Sequence, residues 1–120
     1  MGSQHFGLDV PIDGKYADPY LFVNLALEAE QAGWDGFFLQ DGIYGSGPRL
    51  DPTVVLSAIA LKTKSIRIGA FMTALPRRRP WKLAREMLTL DLLSNGRIIC
   101  GVGLGFQSQE FLPFGESADL

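Results

Sequence analysis

The feature that most constrains this chain is one short grammar used three times: an apolar run, a turn, then an X-Pro step leading into an amphipathic stretch. The steps are Asp18-Pro19, Asp51-Pro52 and Arg79-Pro80, with the prolines 33 and then 28 positions apart. Proline suits the first helical position because no amide donor is needed there. An aspartate just before it can accept from the free amides of the first turn. After Pro19, the residues Phe22, Leu25, Ala26, Ala29 and Ala32 recur at helical spacing until Gly33. After Pro52 come Val55, Leu56, Ile59 and Ala60; after Pro80 come Leu83, Met87, Leu90 and Leu93, with Asn95-Gly96 as the stop. The spacing predicts three helices.

Between and around them, Phe6 to Val10, Gly36 to Gln40, Ile66 to Leu75 and Arg97 to Leu104 have strand character. Near-continuous apolar runs such as Phe37-Phe38-Leu39 suit strands covered on both faces, as in parallel sheets. The predicted order is β-α-β-α-β-α-β, an α/β protein, with helices long enough to cross over between parallel strands. Two architectures remain open, a doubly wound sheet and a (β/α) barrel. A complete barrel needs eight strands and roughly 200–250 residues. In the barrel case residues 1–120 are expected to be a single domain, half a barrel with two open strand edges.

Composition narrows the function classes. With 120 residues, 47% of them hydrophobic, the chain has room for one genuine core. Its net charge of −2 argues against a dedicated nucleic-acid binder. No apolar run approaches the ~18–20 residues that span a bilayer, and no secretory leader opens the chain, so a cytoplasmic protein without a membrane partner is expected. The single cysteine, Cys100, is compatible with a reducing compartment. With one histidine, His5, and one cysteine, no His-His metal site and no structural zinc site can be built from this chain alone.

Three groups of residues could carry chemistry. Gly101-Val102-Gly103-Leu104-Gly105 invites a dinucleotide-binding reading, but that fingerprint needs a sixth-place glycine where Phe106 stands. Asp119 lies 18 residues after Gly101, with no strand following to present it. The plainer reading is a strand whose backbone is closely approached. Arg77, Arg78, Arg79, Lys82 and Arg85 crowd a helix start. They read either as an anion site or as a solvated helix start, with Lys82 and Glu86 paired at i,i+4. Asp9 and Asp41 end the first and second strands, where functional residues of open sheets and barrels gather. Each is a polar cofactor contact or a loop cap.

Longer stretches carry a resemblance. Residues 69–86, from Gly69-Ala70-Phe71-Met72-Thr73 through Leu75-Pro76-Arg77-Arg78-Arg79-Pro80 to Glu86, are similar to a characteristic segment of the luciferase-like flavin monooxygenases. So are Leu90-Asp91-Leu92-Leu93-Ser94-Asn95-Gly96-Arg97, the glycine run at 101–105, and Glu110-Phe111-Leu112-Pro113-Phe114-Gly115. Residues 32–41, ending in Gln40-Asp41, resemble the family's second strand.

The resemblance implies the N-terminal half of a (β/α)8 TIM barrel that holds FMN or a deazaflavin coenzyme at the strand C-termini. It implies a non-prolyl cis peptide at Phe71-Met72, with Met72 and Thr73 beside the isoalloxazine. Phe6, Leu8, Asp41, Gly103 and Gly105 are the further cofactor contacts it suggests. Where many members carry a histidine after the acid that ends strand two, this chain has Gly42. The implied activity is a flavin-dependent oxidoreductase or monooxygenase, using reduced flavin and oxygen on a small organic substrate. Phosphate sites of barrels usually come from the loops after strands seven and eight. Separately, the unpaired edges of the first and fourth strands and the uncovered inward face invite association, so a homo-oligomer, or completion by a second half-barrel, is expected. A non-catalytic half-barrel acting in assembly, and an anion-binding module built on the arginines, are the alternatives. Phe38, Ile68 and Ile99 are expected on the inward face.

Overall fold

A computed structural model describes residues 2–105 and 108–117. Phe106 and Asp119 lie outside the described residues. The chain runs β1 (Gly7–Val10), α1 (Pro19–Gln31), β2 (Gly36–Leu39), α2 (Pro52–Lys62), β3 (Arg67–Ala74), α3 (Pro80–Leu93) and β4 (Ile98–Gly103). Each helix starts at the proline of its X-Pro step. The Asp18 and Asp51 carboxylates accept from the amides of Tyr20 (2.9 Å) and Val54 (3.0 Å), so two of the three starts are capped as the sequence suggested. Arg79 supplies no side-chain cap to the third.

Helices α1 and α3 end alike. Trp34 N donates to Ala29 O and Gly33 N to Glu30 O; Gly96 N donates to Asp91 O and Asn95 N to Leu92 O. This double closure needs a left-handed residue at its second position. Gly33 (φ 88°) and Asn95 (φ 54°) supply it.

The four strands are parallel and lie in the order β1-β2-β3-β4. That order decides between the two architectures. Right-handed crossovers without a reversal of strand order put every helix on the same face, whereas a doubly wound sheet reverses at a switch point. The helices also follow one another in space, α1 against α2 and α2 against α3. The result is half of a βα barrel. Its core fills the layer between sheet and helices: Phe37, Leu39 and Ile68 from the strands meet Phe22, Ala26, Val55, Leu56, Ile59 and Leu90 from the helices.

Ile68 is therefore a correction to the sequence reading. It is fully buried in the helix-facing layer and not on the inward face. The opposite face carries Phe38, whose ring lies against Gly7, Gly36 and Gly69. A Cβ at Gly69 would run into the backbone carbonyl of Ile99.

A buried arginine closes the far end of this layer. Arg97 donates to the carbonyls of Ala60, Thr63, Ile66 and Ser94 and to the Thr63 hydroxyl, at 2.6–3.1 Å. A cation there answers the orphan carbonyls at the end of α2 and ties them to β3, β4 and the end of α3. Glu30 does the complementary work from α1. Its carboxylate accepts from the amides of Lys64, Ser65 and Ile66 at 2.7–3.2 Å, holding the turn into β3.

Candidate functional site

The C-terminal ends of the strands gather most of the expected residues. Pairing between β3 and β4 shifts register between Ala70 and Thr73, so β3 bulges there, and the Phe71-Met72 peptide is cis, as the resemblance implied. A bulge re-aims side chains. Phe71 is 61% exposed and meets Phe38 edge-on, with ring centroids 6.3 Å apart. Met72 is 40% exposed, and its thioether lies over Gly103 in the space where a Cβ would stand. At Gly101 an added Cβ would be 2.9 Å from the Ala70 carbonyl oxygen and 3.5 Å from the Phe71 ring. The glycine run is thus a strand closely approached by its neighbour, and no α-helix follows it among the described residues. Phe71 and Met72, with the bare backbones of Gly101 and Gly103, form an open apolar floor, while Ile99, earlier on β4, lines a cleft with Phe6 and Trp34.

Of the other expected contacts, Phe6 and Leu8 fall elsewhere. Phe6 sits before β1, at the opposite end of the sheet from Asp41. Its carbonyl accepts from Asp35 and Gly36 at the start of β2, and it lines a cleft of about 660 Å³ with Trp34, Asp35 and Arg67. In a parallel sheet a residue that precedes its strand cannot meet one that follows the next strand. Leu8 pairs with Phe37 and packs into the helix-facing core. Thr73 follows the bulge but is buried, so a bulky replacement there would disturb packing before it filled open space. Gly105 lies just past β4 with φ 91°, and a Cβ on it would come within 2.8 Å of the Glu110 carboxylate. Asp9 is at the end of β1, where it accepts from the Gln40 side chain at 3.1 Å.

Asp41 is buried in an ion cluster. Arg78 Nη2 donates to its Oδ2 at 2.6 Å, and Arg77 Nη2 donates to its backbone carbonyl at 2.6 Å and stands 3.6 Å from Oδ2. Arg77 Nε lies 3.8 Å from Glu110 Oε2. Burial alone would pull the Arg78 guanidinium down. The hydrogen bond and charge of Asp41, helped by Asp51 and Glu86, instead raise it above its ordinary range. Arg77 and Arg78 are therefore neither a solvated helix start nor a free anion site. The Lys82–Glu86 pair expected of a solvated start is present at 2.5 Å, one turn further on. Sequence reasoning missed the clustering of Arg77, Arg78 and Glu110 on Asp41, because the partners are more than 30 residues apart and no local pattern links them. Arg49, paired with Asp13 at 2.6 Å, lines with Asp41, Arg77, Arg78 and Glu110 a cleft of about 500 Å³.

Singly wound parallel βα units, with a glycine-backed apolar floor at the strand C-termini, define half of a βα-barrel protein. The comparisons give that class a family. Residues 9–120 match the family model described as luciferase-like monooxygenase, and the chain belongs to that family. It is 29% identical over 99 residues to the alkanal monooxygenase alpha chain of Photobacterium leiognathi, covering 82% of this chain and 28% of that one. It is 34% identical over 92 residues to the F420-dependent glucose-6-phosphate dehydrogenase of Amycolatopsis mediterranei, covering 72% of this chain and 28% of that one. The fold matches the oxygenating constituent of 3,6-diketocamphane monooxygenase from Pseudomonas putida, solved with FMN. The TM-score is 0.83 at 24% identity, over 94% of this chain and 33% of that one. The chain thus spans about a third or less of each of these three proteins.

Proposed function

We propose that the chain forms the cofactor floor of a flavin-dependent oxidoreductase. Reduced FMN or a deazaflavin would lie on Phe71, Met72, Gly101 and Gly103, and a small organic substrate would stack above it. The observation that carries this is the bulge in β3. It turns two large apolar side chains outward beside a strand stripped of side chains at Gly101 and Gly103, which is what a flat heteroaromatic ring needs for close contact. When bound, the flavin supplies the electron transfer, and in the oxygen-using reading the activation of oxygen. The chain's own residues then provide a dry, shaped surface. Phe71 and Met72 exclude water from the ring face, and Asp41 belongs to the scaffold around that surface. The similar proteins support both cofactor classes, one being solved in complex with FMN and another named F420-dependent. Titration with FMN and with a deazaflavin, followed by absorbance, tests the reading. Oxygen uptake with reduced FMN tests the monooxygenase form of it. A saturable spectral shift is expected with one cofactor; no shift up to millimolar concentration of either overturns the proposal.

We also propose that this half-barrel associates with a second one, another copy of itself included, and that the protein acts in the cytoplasm. Strands β1 and β4 each pair on one side only among the described residues, and Val102 on β4 is half exposed. Such edges invite pairing. None of the described helices is long and apolar enough to cross a membrane. Sedimentation equilibrium at micromolar concentration should show an assembly larger than 13.1 kDa; a cooperatively folding monomer would contradict it.

A further inference from the structure

The Asp41 cluster joins the three loops that leave the floor. Asp41 follows β2, Arg77 and Arg78 follow β3 by a few residues, and Glu110 belongs to the segment after β4. The arginines sit on the same short stretch of chain as the Phe71–Met72 bulge. From Met72 the chain passes through Thr73 and Ala74 into the turn Leu75–Arg77. Anything that fixes Arg77 and Arg78 therefore fixes the downstream end of the floor.

Two features separate this cluster from an ordinary stabilising ion pair. It is a network and not a pair, with two guanidinium groups shared between Asp41 and Glu110 from three different loops, and its net charge is zero. It is also incompletely hydrogen-bonded, since Nε of Arg77 and Nε of Arg78 are buried with no hydrogen-bond partner among the described residues. Buried ion pairs of this kind return little net stability against well-packed apolar residues of the same volume, and in some proteins they specify geometry instead. The Asp41 side chain is only 3% exposed, with Oδ2 already taken by Arg78, which leaves it poorly placed to grip a cofactor directly.

We propose that Asp41 is a positioning residue: held by Arg78 and Arg77, it sets the Met72–Thr73 segment at the height and angle that the cofactor ring requires. The inference rests on the flavin reading above and deepens it. A wholly structural role predicts a general loss of stability when the cluster is broken. Positioning predicts a local change at the bulge that outruns any change in the core.

The test is hydrogen exchange of the full chain, read at the amides of residues 71–74 and of α2, together with FMN and deazaflavin titration. Asp41→Asn and Arg78→Met should speed exchange at Met72 and Thr73 at least tenfold, leave α2 within about twofold of wild type, and weaken cofactor binding about tenfold. Arg78→Lys, which keeps the charge, should recover most of both effects. If Asp41→Asn does not fold, the Arg78→Met and Arg78→Lys pair gives the same contrast. Exchange unchanged at 71–74, or raised equally throughout, overturns the inference. If wild type binds neither cofactor while the local exchange pattern appears, the flavin reading fails and the positioning of the bulge stands. If wild type binds and the variants match it in affinity and exchange, the positioning fails and the flavin reading stands.

Discussion

Met72 and Gly103 share one space: the Met72 thioether lies where a Cβ on Gly103 would have to be. The obstacle is the far end of a flexible side chain, so it can move aside at small cost to folding. Gly103→Ala is expected to leave the melting temperature within a few degrees of wild type while displacing Met72 and weakening flavin binding about tenfold, which corresponds to ~1.4 kcal/mol. Gly69→Ala is the contrast, because its Cβ meets the Ile99 backbone carbonyl, which cannot yield without moving β4. Overpacking of that kind costs ~1–3 kcal/mol. Thermal melts and flavin titrations of both variants check the pair.

Arg97 holds four carbonyls and a hydroxyl at the closed end of the helix layer. Burial pulls its guanidinium below the ordinary arginine range, with the Glu30 charge opposing that. Arg97→Met keeps the bulk and removes every bond, and is expected to destabilise by ~3 kcal/mol or more. Arg97→Lys should recover less than half of that, because one ammonium cannot reach carbonyls spread around a planar fork. Urea denaturation of the two variants measures it.

Much of this was legible in the sequence. The three X-Pro steps located the starts of α1, α2 and α3, because proline, helped at two of them by a preceding aspartate, acts locally. What misled were matters of face, end and distance. Leu8 and Ile68 were put on the wrong side, since a strand's side chains alternate and one residue's difference reverses the face. Phe6 was grouped with Asp41 although it enters its strand rather than leaving it. The burial of Arg77 and Arg78 depends on Asp41 and Glu110, and only the folded chain brings those loops together.

Glu30 gives the fold a pH dependence. Burial alone would raise its carboxyl, but the amides of Ser65, Ile66 and Lys64 and the Ser65 hydroxyl together lower it below the ordinary glutamate range. A carboxyl lowered in the folded state contributes stability that is present above the unfolded-state value, about 4.3, and lost as pH falls through the lower folded-state value. Glu30→Gln is therefore expected to be less stable than wild type at neutral pH, with the gap narrowing below pH ~4. Urea melts across pH 3–7 should show the two curves converging on the acid side; a constant gap would remove the carboxylate from the account.

The account stands or falls on where a flavin meets this chain. The most direct measurement is a two-dimensional NMR titration of the labelled chain with FMN and with a deazaflavin, following the Met72 methyl and the amides of Gly101 and Gly103. The account predicts saturable shifts concentrated on those three residues and on Phe71, at the strand C-termini. Shifts confined to Phe6, Trp34 and Arg67 at the opposite end of the sheet would contradict it, and so would none at millimolar cofactor.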